Sequence, residues 1–172
     1  MNDKIKTIVV NAAPKVQFNP LPPTCLDAAP YQITQASEVG AVPGSFVYTG
    51  PGVSTTGIFS PAIAGAGTHI IRYTYTSTTG GCVDTASRPL TVWDPPLAKF
   101  GFSTPACETK AIIFSDSSTN TVGTLTTWTW DFADGSPLVV RNNNTPFTHT
   151  FANAGIYNVN LKITTSNGCV ST

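Results

Sequence analysis

The chain has 172 residues, a formal net charge of zero and only 10% charged residues, against about a quarter in an ordinary soluble domain. Without a basic surface to neutralise phosphates, nucleic acid is excluded as a partner, and no basic amphipathic stretch suits a membrane surface. Apolar runs are too short to span a bilayer, while the length allows one large domain or two small ones.

The chain opens on "MNDKIKTIVV", which lacks the long apolar core of a signal peptide. Met1 is the only methionine and reads as an initiator added to a fragment, with residues 1–12 either a strand left over from a preceding domain or a tag-proximal segment. Ala13-Pro14 then breaks the chain. Proline cannot donate to a strand ladder and holds the residue before it extended, so this is a domain boundary. Asp94-Pro95-Pro96 is the second one.

Between these breaks the chain repeats itself. "IVVNAAPKVQFNPLPPTC", ending at Cys25, has the plan of "LTVWDPPLAKFGFSTPAC", ending at Cys107. Later, "AGAGTHIIRYTYTSTTGGCVDT" parallels "ANAGIYNVNLKITTSNGCVST", with Gly67 matching Gly155, His69 matching Tyr157 and Cys82 matching Cys169. Two units of one design are expected in tandem, over residues 13–94 and 95–172.

Each unit reads as strand throughout. His69, Ile71, Tyr73 and Tyr75 share one face of an alternating segment, and Tyr157, Val159, Leu161 and Ile163 share the face of another. Period two over eight or so residues marks a half-buried strand, and no window carries a helical stripe. The fold class is therefore all-β: two tandem β-sandwiches joined by a short proline-rich linker.

The four cysteines, Cys25, Cys82, Cys107 and Cys169, contain no closely spaced pair of the zinc or redox kind. The repeat gives each unit one early and one late cysteine, so the expected disulfides are Cys25–Cys82 and Cys107–Cys169. Such bridges imply an oxidising, extracellular location.

"WTWDFADGS", from Trp128 to Ser136, is the most distinctive stretch. Trp128, Trp130 and Phe132 alternate and should line the core face of a central strand. Asp134-Gly135 is a turn signal, since glycine accepts positive φ and aspartate caps its own turn. Asp131 points to the other face.

With "HTF" at His149 to Phe151 and "AGIYNVNLKI" carrying Gly155 and Tyr157, this stretch resembles the PKD domain of secreted and surface proteins, over Ala98 to Thr172. Ala133 stands where that family usually has glycine, and Phe151 where tyrosine is common. The earlier unit is similar to the Ig-like repeats of large Bacteroidetes surface proteins. The segments that carry the likeness are "YTGPGV", "FSPAIAGAGTH", "YTYT" and "GGCVDTA". These resemblances imply a non-catalytic, extracellular structural and adhesion module of a large bacterial surface or secreted protein. Its expected partners are other domains of that protein, and glycans or surface proteins.

Catalytic readings fare poorly. Paired carboxylates must face each other across a cleft, whereas Asp131 and Asp134 flank a turn. His69 and His149 fall in different units, and no Gly-x-Ser-x-Gly elbow presents a nucleophile. No cofactor is expected. The resemblance admits calcium, with Asp116 and Asp134 as the candidate ligands, but "SDSSTNTVGTL" supplies a single carboxylate where calcium takes six or more oxygens. Trp93, in "TVWDPP" at the domain junction, is the one tryptophan outside the expected core. It either packs at the junction or forms a platform for a sugar ring. The second choice would make the chain a carbohydrate-binding module or an accessory region of a polysaccharide-degrading enzyme.

By the same repeat, Lys6 to Val10 corresponds to Arg88 to Val92, the closing strand of the first unit, and the second unit is expected to lack that strand. This leaves an open sheet edge onto which "IKTIVV" of another molecule can dock.

Overall fold

A computed structural model describes residues 6–171 and divides the chain into two compact units, 1–92 and 93–172. The described residues are almost entirely strand and loop. The exception is a one-turn helix, α1 (Pro61–Ala64), which begins on a proline, where the missing N–H costs nothing. Among the described residues, no helix is long and apolar enough to cross a membrane.

The first unit holds β1 (Val16–Phe18), β2 (Thr24–Cys25), β3 (Tyr31–Gln32), β4 (Ala36–Glu38), β5 (Gly44–Thr49), β6 (Ile58–Phe59), β7 (Gly67–Ser77) and β8 (Val83–Trp93). Its main sheet has the order β2-β8-β7-β5, with two-stranded sheets β1-β4 and β3-β6 beside it. Along β7 the burial alternates, so that Ile71 and Tyr73 are buried while Ile70 and Arg72 are exposed. These two pack with Tyr48, Leu90 and Val92 of the same sheet against Phe18 of β1 and Phe59 of β6. Each fully buried side chain of this size contributes about 1.5–3 kcal/mol.

The second unit holds β9 (Phe100–Phe102), β10 (Ala111–Asp116), β11 (Leu125–Asp131), β12 (Val139–Arg141), β13 (Phe147–Thr150) and β14 (Asn160–Thr165). Two three-stranded antiparallel sheets, β13-β10-β9 and β12-β11-β14, face each other. Ile112 and Phe114 from one sheet meet Trp128, Trp130, Leu161 and Ile163 from the other. Trp130 is 2% exposed.

Two expectations from the sequence are corrected. The strand read over Tyr157 to Ile163 begins only at Asn160. In the first unit β5 covers β7 from Arg72 to Ser77, whereas Gly67 to Ile71 is held by β8 alone. The corresponding Gly155 to Val159 faces no such partner among the described residues and stays irregular. Alternation shows which residues would face a core, but a strand also needs a ladder to join. Residues 6–10 likewise form no strand, and residues 1–5 of the expected leftover strand lie outside the described residues.

The second correction concerns the cysteines. Cys82 and Cys107 are free thiols, whereas Cys25 and Cys169 are disulfide-bonded, so neither Cys25–Cys82 nor Cys107–Cys169 forms. The strand paths explain why. Cys107 precedes β10 at the end where Ala111 pairs with Thr150, while Cys169 follows β14 at the end where Thr165 pairs with Leu125. Because β10 leads into β11, these are opposite ends of the sandwich. In the first unit Cys82 closes the turn before β8. The N–H of Val16 donates to Asp84 beside that turn, and from there the chain runs away along β1 before it reaches Cys25.

The core makes a direct prediction. Trp130→Ala should lower the unfolding free energy of the second unit by about 3–5 kcal/mol, read by urea denaturation followed through a probe in that unit.

Candidate functional site

The residues that carry chemistry in "WTWDFADGS" collect at the turn leaving β11. Trp128, Trp130 and Phe132 are all buried. Trp130 meets Phe100, Phe114 and Phe147 edge-on, at ring distances of 5.0, 5.8 and 5.4 Å. The ring of Phe132 carries the imidazole of His149 flat on its face, 3.7 Å away and tilted by 2°.

Past Phe132 the chain must reverse within a few residues, and two aspartates shape the reversal. Asp131 Oδ1 accepts from the N–H of Ala133 at 2.9 Å, and Asp134 Oδ1 accepts from the N–H of Ser136 at 3.0 Å. Such aspartate-closed turns tolerate left-handed backbone at the positions they bracket. Ala133 has φ 55° and Gly135 φ 85°. The left-handed angle at Ala133 accounts physically for the glycine usual at that position in the family it resembles.

The second carboxylate oxygen of Asp134 reaches across to the other sheet, where His149 Nε2 donates to it at 2.8 Å. His149 pairs with Ile112 in the β10–β13 ladder, so this contact ties the β11 turn to the facing sheet. Hydrogen bonds from Ser136, hydroxyl first and backbone N–H second, hold the Asp134 carboxyl down to about 2 from an ordinary 3.8, and His149 adds to the effect.

Phe151 continues the cluster, with its ring 4.8 Å from His149 and stacked on Tyr157 at 4.3 Å. The Tyr157 hydroxyl donates to the Asn153 carbonyl. At Gly155 an added Cβ would meet the Tyr157 ring at 3.5 Å, ordinary contact.

The other candidates lie elsewhere. Asp116 ends β10 at the opposite end of the sandwich, where its Oδ1 accepts from the N–H and hydroxyl of Ser118. The structure therefore does not bring Asp116 and Asp134 together as ligands of one ion. Among the described residues, no group of three or more His, Cys, Asp or Glu side chains is placed to hold a metal. His69, in the first unit, donates to the Gly65 carbonyl at 2.8 Å. Trp93 ends β8 half-buried.

Sequence reasoning missed the stacking of His149 on Phe132, because the two are brought together only by the facing of the sheets. It also missed Ser136, although Asp-x-Ser is itself the pattern of a capped turn. A third omission is Arg141, whose guanidinium lies 4.6 Å over the Phe147 ring and donates to Asn143 Oδ1 and Thr145 Oγ1.

The site is a turn whose polar side chains are turned on one another and on the backbone. The model of the PKD domain family matches residues 93–172, just under half of the chain and coincident with the second unit. PKD domains are non-catalytic Ig-like modules, generally extracellular and of a structural or adhesive kind. No curated protein matches the chain.

Two predictions follow from the turn. A carboxyl with a lowered folded pKa stabilises the fold above its unfolded value, and that contribution is lost as pH falls towards the folded value. For Asp134 the window runs from about 3.8 down to about 2. The acid limb of a thermal-melt profile should therefore drop through that window, and Asp134→Asn should flatten it while lowering stability at neutral pH. Ala133→Gly should raise stability by roughly 0.5–1 kcal/mol, because glycine adopts the left-handed angle without steric cost, measured by chemical denaturation.

Proposed function

We propose that the protein is a non-catalytic extracellular structural and adhesion module, a pair of β units that space and present neighbouring domains of a large bacterial surface or secreted protein. The observation that carries this reading is the use made of the motif. Asp131, Asp134 and His149, the residues that would have to do chemistry, are committed to backbone N–H groups, to each other and to an aromatic face. The match of the second unit to the PKD family supports it, since modules of that family serve outside the cell in structural roles.

The first unit contributes a second core of its own and resembles the Ig-like repeats of Bacteroidetes surface proteins. Asp94-Pro95-Pro96 opens the second unit, and the fixed φ angles of its prolines stiffen that stretch of chain. Other domains of the same protein, glycans and surface proteins are the partners this role implies.

A carbohydrate-binding module, or the accessory region of a polysaccharide-degrading enzyme, is the second reading. Trp93 favours it, as a half-buried indole outside both aromatic cores. The test is retention on cellulose, chitin, xylan and bacterial-surface glycans, with calcium and with chelator, for the native chain and Trp93→Ala. A spacer shows no saturable retention on any polysaccharide. Saturable binding abolished by Trp93→Ala would replace the spacer reading with sugar recognition.

A further inference from the structure

At the end of the second unit's sandwich away from the Asp134 turn, two buried N–H groups make no hydrogen bond. Trp128 and Arg141 stand directly opposite each other in the β11–β12 ladder. Trp128 is 5% exposed, yet its indole Nε1 has no partner, and neither has the buried Nε of Arg141. Nearly all buried polar groups in proteins are paired, so each one that is not calls for an explanation. Here both belong to one cross-strand pair, and one oxygen can serve the two.

Both side chains line a single narrow crevice. Phe114, Trp130 and Phe147 of the core form its inner side. Its outer side is the turn between β12 and β13, where Asn143, Asn144 and Thr145 are exposed. Asp116 lines it too, with Oδ1 engaged by Ser118 and Oδ2 without a partner among the described residues. As it lies, the crevice has no room for a water molecule. Arg141 itself holds it shut, since Nη2 donates to Asn143 Oδ1 at 3.1 Å and to Thr145 Oγ1 at 2.9 Å. One guanidinium thus latches the turn with one nitrogen and presents an unmet N–H with another.

The unmet groups select their ligand. Two are donors and one is a carboxylate acceptor. An anion would accept from both donors but lie against Asp116, and an ammonium would face Arg141. A hydroxyl serves all three, its oxygen accepting from the indole and the guanidinium while its proton goes to Asp116. Asn144, whose side chain makes no hydrogen bond, adds an amide that both gives and accepts on the outer side. Adjacent hydroxyls of one sugar ring match that set, whereas a serine, threonine or tyrosine on a protein surface offers a single one.

We infer that this crevice is a glycan subsite, in which a sugar hydroxyl moves the Asn143–Thr145 turn outwards and takes the N–H groups of Trp128 and Arg141. The inference rests on the adhesive part of the proposed function, in which glycans are partners, and it places recognition at a site other than Trp93. The closed turn leaves both N–H groups unmet and the bound hydroxyl satisfies them, so the ligand favours the open turn by contacts made only there.

The test is a titration of the isotope-labelled chain with cellohexaose, chitohexaose and xylohexaose, followed by NMR through the tryptophan indole and arginine Nε–H signals. One of the sugars should shift the Trp128 and Arg141 signals saturably and slow the exchange of both protons with water. Arg141→Lys keeps the charge but removes the Nε–H, and should weaken binding about tenfold or more. Asn144→Ala, at an exposed side chain with no bond to lose, keeps the fold and should weaken binding severalfold. Trp93→Ala should leave it unchanged. Trp128 and Arg141 signals that no sugar moves overturn the inference and leave the structural reading of the module standing. A shift confined to the Trp93 indole also overturns it, while keeping glycan recognition and assigning it to Trp93. So does binding that Arg141→Lys and Asn144→Ala both leave at native strength.

Discussion

The second unit depends on one indole. Trp130 sits between the two sheets at 2% exposure and touches Phe100 of β9, Phe114 of β10 and Phe147 of β13. Through this one ring β11 meets all three strands of the facing sheet. Rings that meet edge-on gain about 0.5–1.5 kcal/mol beyond the area they bury, and they also fix where β11 can lie. Once β11 is fixed, Phe132 must fall under His149, and the turn that follows must bring Asp134 within reach of the same imidazole. The polar motif is therefore a consequence of the aromatic core, and its role is to close the sandwich where β11 leaves it.

Much of this architecture can be read in the chain. Alternation of Trp128, Trp130 and Phe132, and of Ile71 and Tyr73, is a local signal that a strand with one dry face cannot avoid giving. The turn at Asp134-Gly135 is equally local, because positive φ and side-chain capping are properties of the residues themselves. What local signals lack is the identity of neighbours. The stack of His149 on Phe132 depends on the register of β10 with β13, which no spacing within either strand encodes. Gly155 to Val159 carries a strand pattern as clear as that of Gly67 to Ile71, yet only the latter has a ladder partner.

The cysteines illustrate the same limit from another side. A repeat places Cys82 and Cys169 at equivalent turns, and their hydrogen bonds match donor for donor. Equivalence along the chain says nothing about which end of a sandwich a residue occupies, and it is the ends that keep Cys107 away from Cys169. Disulfides need Cα atoms within about 7 Å, a condition set by topology and not by spacing in sequence. The thiols of Cys82 and Cys107 then remain free, the first half-buried and the second exposed.

Whether Asp134 and His149 are architecture or latent chemistry is best decided by a double-mutant cycle on their coupling. The unfolding free energies of the native chain, Asp134→Asn, His149→Ala and the double variant would be compared near neutral pH. If the pair ties the turn to the facing sheet, the two substitutions are non-additive, the second costing little once the first is made. Strict additivity, with each change independent of the other, would contradict the account and free both side chains for a role other than holding the fold.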